Sequence, residues 1–231
     1  MSRHSLVVAY GLLAFALRTP VFAQMAPASV IVAPADAARG TVFYVADPMG
    51  RNAVTFKSEA PLEDILGTSN ELTGYVVFDP NQPSKGARGQ LTVPVASLRT
   101  GIPMRDEHLR GADWLDAAAQ PDIRFVIDNV KDVRVVKATG GARTFDLKLA
   151  GSLSIHGHTR RIEVPARVTY LVESEQTRMR VPGNLIAGRT SFDVSLKDFE
   201  VRGMQGAVGP KVSETITIDV SFFASDKLPT M

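Results

Sequence analysis

Hydrophobic and polar side chains alternate with a period of two along most of the chain that follows Thr41. The longest run is RTFDLKLAGSLSIHG at 143–157, where the apolar residues fall on one parity and the polar residues on the other. Successive side chains of an extended strand point to opposite faces, so this pattern predicts strands with one buried face. Shorter runs of the same kind place these apolar residues together: Val54 and Phe56; Leu72, Val76 and Phe78; Leu91, Val93 and Val95; Ile123, Phe125 and Ile127; Ile162, Val164, Ala166, Val168 and Tyr170; Phe192, Val194 and Leu196; Ile216, Ile218, Val220 and Phe222.

About eight or nine strands result from this pattern, and short turn signals separate them. The clearest signals are Asp79-Pro80-Asn81, Gly140-Gly141, His156-Gly157-His158 and Pro182-Gly183-Asn184. Many half-buried strands joined by short turns predict an all-β domain, either a sandwich or a closed antiparallel up-and-down barrel. Only two stretches look helical: a turn near 61–66, and a short segment near 103–116 that begins at Pro103.

The first residues have the layout of a secretory signal peptide, with Arg3 and His4, an apolar run and small residues before Gln24. The apolar run is shorter than the roughly 20 residues that a membrane-spanning helix needs. We therefore expect a signal peptide at 1–23, export to the periplasm and no integral span after cleavage, with an uncleaved anchor as the alternative. The remaining chain divides into a flexible Ala/Pro-rich lead-in at 24–40, a single domain at 41–225 and a tail at 226–231.

Charge and cysteine content narrow the function. Loss of Arg3 and Arg18 with the signal would reduce the 26 basic side chains to 24, equal to the 24 acidic ones. A mature chain near neutrality gives no support to binding of nucleic acid. The chain has no cysteine, so we expect neither disulfides nor an acyl anchor on cysteine, and an ordinary apolar core must stabilise it.

The segment MRDEHLRGADWLD at 104–116 gathers charged side chains around the single tryptophan of the chain. It could be an active site, or it could be a capped, ion-paired helical lid. Asp106 and His108 are two apart on the predicted helix, so they point away from each other and make a poor catalytic dyad, whereas Asp106 and Arg110 are four apart and can pair. The chain lacks a GxSxG elbow, so the lid interpretation is favoured and no catalytic residue is predicted.

His156 and His158 lie two apart and could ligate a metal from one face of a strand. No third ligand is visible nearby, and the glycine between them is typical of a hairpin turn. We therefore predict neither a metal site nor a cofactor.

Two stretches, VPVASLRTGIPMRDEHLRGADWLDAAAQPDIRF and FDLKLAGSLSIHGHTRRIEVPARV, resemble the YceI-like family of exported bacterial proteins. The resemblance extends from about Val42 to Phe223, with departures at Phe199-Glu200 and His158. The residues that match the family pattern are Ser97, Thr100, Gly101, Arg105, Asp106, His108, Leu109, Trp114, Pro121, Phe125, Gly151, Leu153, His156 and Gly157.

This resemblance implies an extended, lipocalin-like antiparallel barrel that holds a long isoprenoid-type or other amphiphilic molecule. Arg105, Asp106, His108 and Leu109 would then be a structural motif whose charges find partners within the fold. The inward parity predicts these residues as the lining of the cavity: Val54, Phe56, Phe78, Trp114, Phe125, Phe145, Leu147, Leu149, Val168, Tyr170, Phe192 and Val220.

The leading function is therefore a periplasmic carrier for a polyisoprenoid or isoprenoid quinone, without enzymatic activity. The first alternative is a hydrolase or isomerase that acts on such a lipid in the same cavity. A purely structural or adhesive barrel, which predicts a filled interior, is the second. The sequence leaves a homodimer open.

Overall fold

The computed structural model of the protein describes residues 30–228. Ten antiparallel strands form one sheet. The strands are β1 (Val42–Val45), β2 (Ala53–Glu59), β3 (Asp64–Ser69), β4 (Thr73–Val77), β5 (Arg88–Pro94), β6 (Asp122–Thr139), β7 (Ala142–Ile155), β8 (His158–Leu171), β9 (Leu185–Ser195) and β10 (Thr215–Ser225). Three short helices, α1 (Pro34–Ala37), α2 (Pro103–Arg110) and α3 (Glu175–Arg178), and two 3-10 turns, Val95–Ser97 and Leu196–Phe199, complete the described elements.

The sheet closes on itself as an up-and-down barrel with eight strand positions. Strand β10 pairs with β9 on one side and with both β1 and β2 on the other, so β1 and β2 act as one interrupted strand. Strands β3 and β4 form the next position in the same way, because β3 pairs with β2 and β4 with β1. The predicted all-β, lipocalin-like antiparallel barrel is therefore confirmed.

The predicted alternation sets the direction of the side chains. On β7, Phe145, Leu147 and Leu153 are buried on the inner parity, while Lys148 on the other parity is exposed. Two residues with positive φ, His156 (51°) and Gly157 (75°), close the β7–β8 hairpin. A two-residue loop of this kind matches the twist of the strands that it joins, so the hairpin predicted here is confirmed.

One helical prediction is wrong. The stretch 61–66 forms the β2–β3 turn and the start of β3 instead of a helical turn. Ile65, Gly67 and Ser69 face inward and are buried, whereas the alternate residues are exposed. Burial of these three residues at spacing two favours a strand over the short helix-like pattern that begins at Pro61.

The interior differs between the two ends of the barrel. At one end it is filled by rings and branched side chains, with Phe78 and Phe145 in edge-to-face contact at 5.7 Å between centroids and Phe43 and Tyr170 at 6.3 Å. Phe43 and Phe145 are fully buried there. At the other end the same inward positions surround an empty space, so the strands run from a packed half into a hollow half.

The described part of the lead-in covers the outside of β4. Tyr75 and Val77 pair with Tyr44 and Val42, which lie on the outer face of β1 because the alternate residues Phe43 and Val45 belong to the core. Tyr75 and Val77 therefore face outward, yet both are buried. The Tyr75 hydroxyl donates to Asp36 Oδ2 of α1 at 2.7 Å, and burial beside that carboxylate raises the pKa of the tyrosine. The predicted signal peptide at 1–23 and the last three residues of the tail lie outside the described residues. No helix between residues 30 and 228 is long and apolar enough to cross a membrane.

Candidate ligand-binding cavity

The hollow half encloses a cavity of about 570 Å³. Strand residues from β2, β3 and β5 to β10 form its wall. Helix α2 with the segment after it, the β2–β3 turn and the loop at 203–212 form its rim. Its volume falls within the range of roughly 300 to 1,000 Å³ that is usual for small-molecule sites. Along β7 the wall runs from Leu149 to Ile155, a distance of about 20 Å at the usual rise per residue. The cavity is therefore long enough for an extended chain.

Eight of the twelve residues predicted to line the cavity do so. Trp114 belongs to the segment after α2, and the other seven come from six strands. Val54 and Phe56 lie on β2, and Phe125, Leu149, Val168, Phe192 and Val220 lie on β6 to β10 in turn.

The other four, Phe78, Phe145, Leu147 and Tyr170, face the interior but lie in the packed half and do not border the cavity. Parity identifies which side chains face inward, but it carries no information on how far along the barrel the interior is filled. The prediction that these four line the cavity is corrected on that ground.

The loop at 203–212 is the part of the site that the sequence pattern missed. Met204, Gln205, Ala207, Lys211 and Val212 all border the cavity. The segment GMQGAVGPKV has no period of two, and its backbone has positive φ at Gly203, Gly206 and Gly209. The one available signal was the accumulation of glycine between two predicted strands, which is typical of a long functional loop.

Two glycines make room for rings in the wall. A Cβ atom added at Gly67 would come within 2.0 Å of the Phe56 ring, and one at Gly188 within 2.5 Å of the Phe222 ring. Each ring therefore occupies the space over the backbone of a neighbouring strand that a side chain there would fill. A side chain at either position would push an aromatic ring into the ligand space.

The lid interpretation of the charged segment fits the geometry of α2. Pro103 opens the helix, where its missing N–H costs nothing, and Gly111 follows its last residue in an extended conformation. Asp106 is buried, and its Oδ1 accepts hydrogen bonds from the Thr100 N–H at 2.6 Å and the Thr100 hydroxyl at 2.7 Å. The hydroxyl bond most strongly, and also the N–H bond, hold the pKa of Asp106 below its usual value. Asp106 thus fastens the chain that leads into α2, and does not form the expected surface pair with Arg110.

Two further contacts hold the rim together. Arg105 pairs with Glu63 at 3.0 Å between Nη1 and Oε1, which joins α2 to the β2–β3 turn. The Leu62 N–H donates to the Pro210 carbonyl oxygen at 3.0 Å, which joins the same turn to the loop at 203–212. The β2–β3 turn therefore connects both other segments of the rim.

His108 departs from expectation. Its side chain is exposed on the cavity rim and, within residues 30–228, makes no hydrogen bond or ion pair. Leu109 on the same helix packs against the core, as does Trp114. The helix packs its apolar side, which carries Leu109, against the barrel, whereas His108 is not on that side. The partner that we expected for His108 is therefore lacking in the described structure.

Trp114 and Leu115 close the cavity from the lid. Leu115 is buried, and the Trp114 ring lies so close to Gly203 that a Cβ atom there would approach Cη2 within 2.6 Å. Gly203 has a φ of 64°, which a residue with a Cβ adopts at a cost. The lid and the loop at 203–212 therefore meet at this ring, which borders the cavity.

The two histidines of the β7–β8 hairpin contact the chain that follows β9. His156 Nδ1 lies 3.3 Å from the Phe199 carbonyl oxygen, and His158 Nδ1 lies 3.7 Å from Glu200 Oε1. Among residues 30–228, no group of three histidine, cysteine or acidic side chains is placed to hold a metal ion. The pair therefore anchors a turn against the hairpin.

The sequence profile of the YceI-like domain matches residues 44–224, which is nearly the whole barrel. The chain belongs to the YceI-like family. A UPF0312 protein of Pseudomonas savastanoi pv. phaseolicola is 32% identical over 182 residues, which cover 78% of this chain and 84% of that protein. The resemblance seen in the motif around α2 thus extends over the strands on both sides of it.

Two solved structures show the same YceI-like fold. BcnA of Burkholderia cenocepacia superposes with a TM-score of 0.59 at 20% identity, covering 78% of this chain and all of that one. A polyisoprenoid binding domain from Saccharophagus degradans, implicated in plant cell wall breakdown, superposes with a TM-score of 0.57 at 14% identity, covering 81% and 99%. At these identities the likeness establishes the architecture.

Proposed function

We propose that this YceI-like protein binds and carries a long apolar or amphiphilic molecule, of the polyisoprenoid or isoprenoid-quinone type, inside its barrel. The observation that carries the proposal is the apolar cavity of about 570 Å³ in the hollow half. Removal of apolar surface from water contributes about 25 cal/mol per Å², so a long hydrocarbon chain can bind there with few polar contacts. The polyisoprenoid-binding domain of the same fold from Saccharophagus degradans supports the ligand class.

Binding without chemistry is the form of the proposal that the site supports. Asp106 is directed at Thr100 and not at His108, so the segment that could have been a catalytic dyad acts as a fastening. Two polar side chains of the wall are also occupied. Thr190 donates to the Pro165 carbonyl at 2.6 Å, and Ser58 accepts from the Ser213 N–H at 2.8 Å. The alternative is a hydrolase or isomerase that acts on the same lipid. The contacts of Asp106, Thr190 and Ser58 do not favour it.

The test uses the only tryptophan of the chain as the reporter. Native mass spectrometry and lipid extraction of the purified protein should recover an intact isoprenoid lipid. Addition of a polyprenol to the delipidated protein should shift Trp114 emission to shorter wavelength, because the ligand removes water from around a ring that borders the cavity. Recovery of a chemically altered lipid that depends on time and protein would instead favour the enzyme.

We propose further that the protein is exported, with a mature chain that starts near Gln24 in the periplasm of a diderm bacterium. The charged start, apolar run and small residues before Gln24 support this proposal. N-terminal sequencing of the exported protein tests it, and recovery of Met1 in the membrane fraction would indicate an anchor.

A further inference from the structure

Five large apolar side chains stand exposed around the mouth of the cavity. Leu62 is 72% exposed, Leu66 66%, Met104 68%, Ile102 48% and Met204 47%. We call these five residues the collar. They come from three separate segments of the chain, the β2–β3 hairpin, the start of α2 and the loop at 203–212. Other apolar residues of these segments, such as Ile65 and Leu109, pack into the core, whereas the collar residues do not.

The collar is contiguous because direct contacts join its three segments. The Thr68 and Arg99 backbones exchange hydrogen bonds of 2.8 and 2.9 Å, which lays the chain before Ile102 beside β3. The Arg105–Glu63 ion pair joins the helix that carries Met104 to the turn that carries Leu62, and the Leu62–Pro210 hydrogen bond joins that turn to the loop that carries Met204. Glu63 and Arg105, the chain neighbours of Leu62 and Met104, border the cavity together with Met204, so the collar lies beside the rim of the cavity.

We propose that the collar seats the mouth of the barrel on the surface of a lipid bilayer, so that a lipid enters or leaves the cavity without crossing water. The proposal rests on the proposed carrier function, and the bilayer is the partner that supplies the lipid to the cavity. The same free energy that holds an apolar chain in the cavity opposes its passage through water. Apolar side chains that enter the bilayer around the mouth provide a continuous apolar path between membrane and cavity.

Charge and size favour a bilayer over a protein partner. The segments 59–66, 99–110 and 203–212 carry four basic and five acidic side chains, so no strong charge directs this end of the molecule to a charged partner. A stable protein interface takes roughly 20 to 30 residues from each side, whereas the collar offers five exposed side chains on three segments. A few exposed apolar side chains suit shallow insertion between lipids, and their attachment should depend on apolar contact and little on salt.

The experiment measures flotation with uncharged phosphatidylcholine vesicles, using the chain without residues 1–23 so that the signal segment cannot bind. The wild-type protein should float with vesicles, and the fraction bound should be nearly unchanged in high salt. The double variant Leu62→Ser/Met104→Ser should lose at least about tenfold in partitioning, because burial of one such side chain corresponds to about one decade. The matched control is Val135→Ser/Val136→Ser, since these side chains are 60% and 47% exposed at the far end of the barrel. The control should float like the wild type.

Nile red binding in solution and the melting temperature are measured on each variant to verify the cavity and the fold. Loss of flotation with both values retained supports the collar. Equal flotation of the two double variants would overturn it, as would loss of binding in high salt. A wild type that binds Nile red but never floats would refute the collar and leave the carrier function standing. A wild type that sediments as a dimer and becomes a monomer through Leu62→Ser would identify a second copy, in place of the bilayer, as the occupant.

Discussion

At the scale of single residues, one family motif contains side chains with three different environments. Asp106 is buried and fully engaged with Thr100, Arg105 pairs at the rim with Glu63, and His108 is exposed. Sequence spacing argued against an Asp106–His108 dyad, because residues two apart on a helix diverge. It could not identify Thr100 as the partner of Asp106, since that contact depends on how the chain turns before α2.

Asp106→Asn should destabilise the protein by about 1 to 3 kcal/mol, because a neutral amide oxygen accepts the two Thr100 hydrogen bonds more weakly than a charged carboxylate does. The lowered pKa of Asp106 gives this effect a pH dependence. Its stabilisation is complete above the ordinary aspartate pKa of about 3.9 and is lost as pH falls through the lower folded-state value. The difference in melting temperature between wild type and variant should therefore shrink below about pH 4. Glu107→Gln, at the exposed neighbouring position, is the control and should change the melting temperature little both above and below about pH 4.

At the scale of elements, the strands were predictable and the ends of the cavity were not. Alternation identified the inward parity of β7 correctly from Phe145 to Ile155. The same parity holds on both sides of the boundary between the packed and hollow halves, so it could not separate Leu147 from Leu149. The loop at 203–212 was missed for a related reason, because irregular backbone leaves no period in the sequence.

Leu147 and Leu149 therefore form a matched pair on one face of one strand. Leu149→Trp should fill part of the cavity, so the lipid content should fall while the melting temperature is retained. Leu147→Trp should overpack the buried half at a cost of typically 1 to 3 kcal/mol, with a lower melting temperature. Lipid extraction and thermal unfolding on the same preparations decide between the outcomes. Unchanged lipid with lost stability in Leu149→Trp would mean that the interior is filled at that position and would contradict a carrier.

At the scale of the whole molecule, the barrel combines a rigid base with an opening held by few contacts. The base packs the Phe43 ring against Tyr170 and the Phe78 ring against Phe145 within one buried cluster. The ladder between β8 and β9 covers only Ala166–Leu171 and stops beside Pro165, which lacks the N–H needed to continue it. The hollow half therefore has fewer strand pairings as well as fewer packed side chains.

This asymmetry predicts where a bound lipid stabilises the protein. In the delipidated barrel, amides of β2, β3 and the second half of β9 should exchange hydrogen faster than those of β4 and the first half of β9, because local opening is easiest where few apolar contacts are lost. A ligand that fills the cavity supplies those contacts and binds only the closed form, so loading should slow exchange in the hollow half. The packed half should change little. Hydrogen exchange followed by mass spectrometry on loaded and delipidated protein measures both halves at once. Equal slowing along the whole length of β9 would show that the two halves open as one unit, and slowing confined to the packed half would place the ligand outside the cavity.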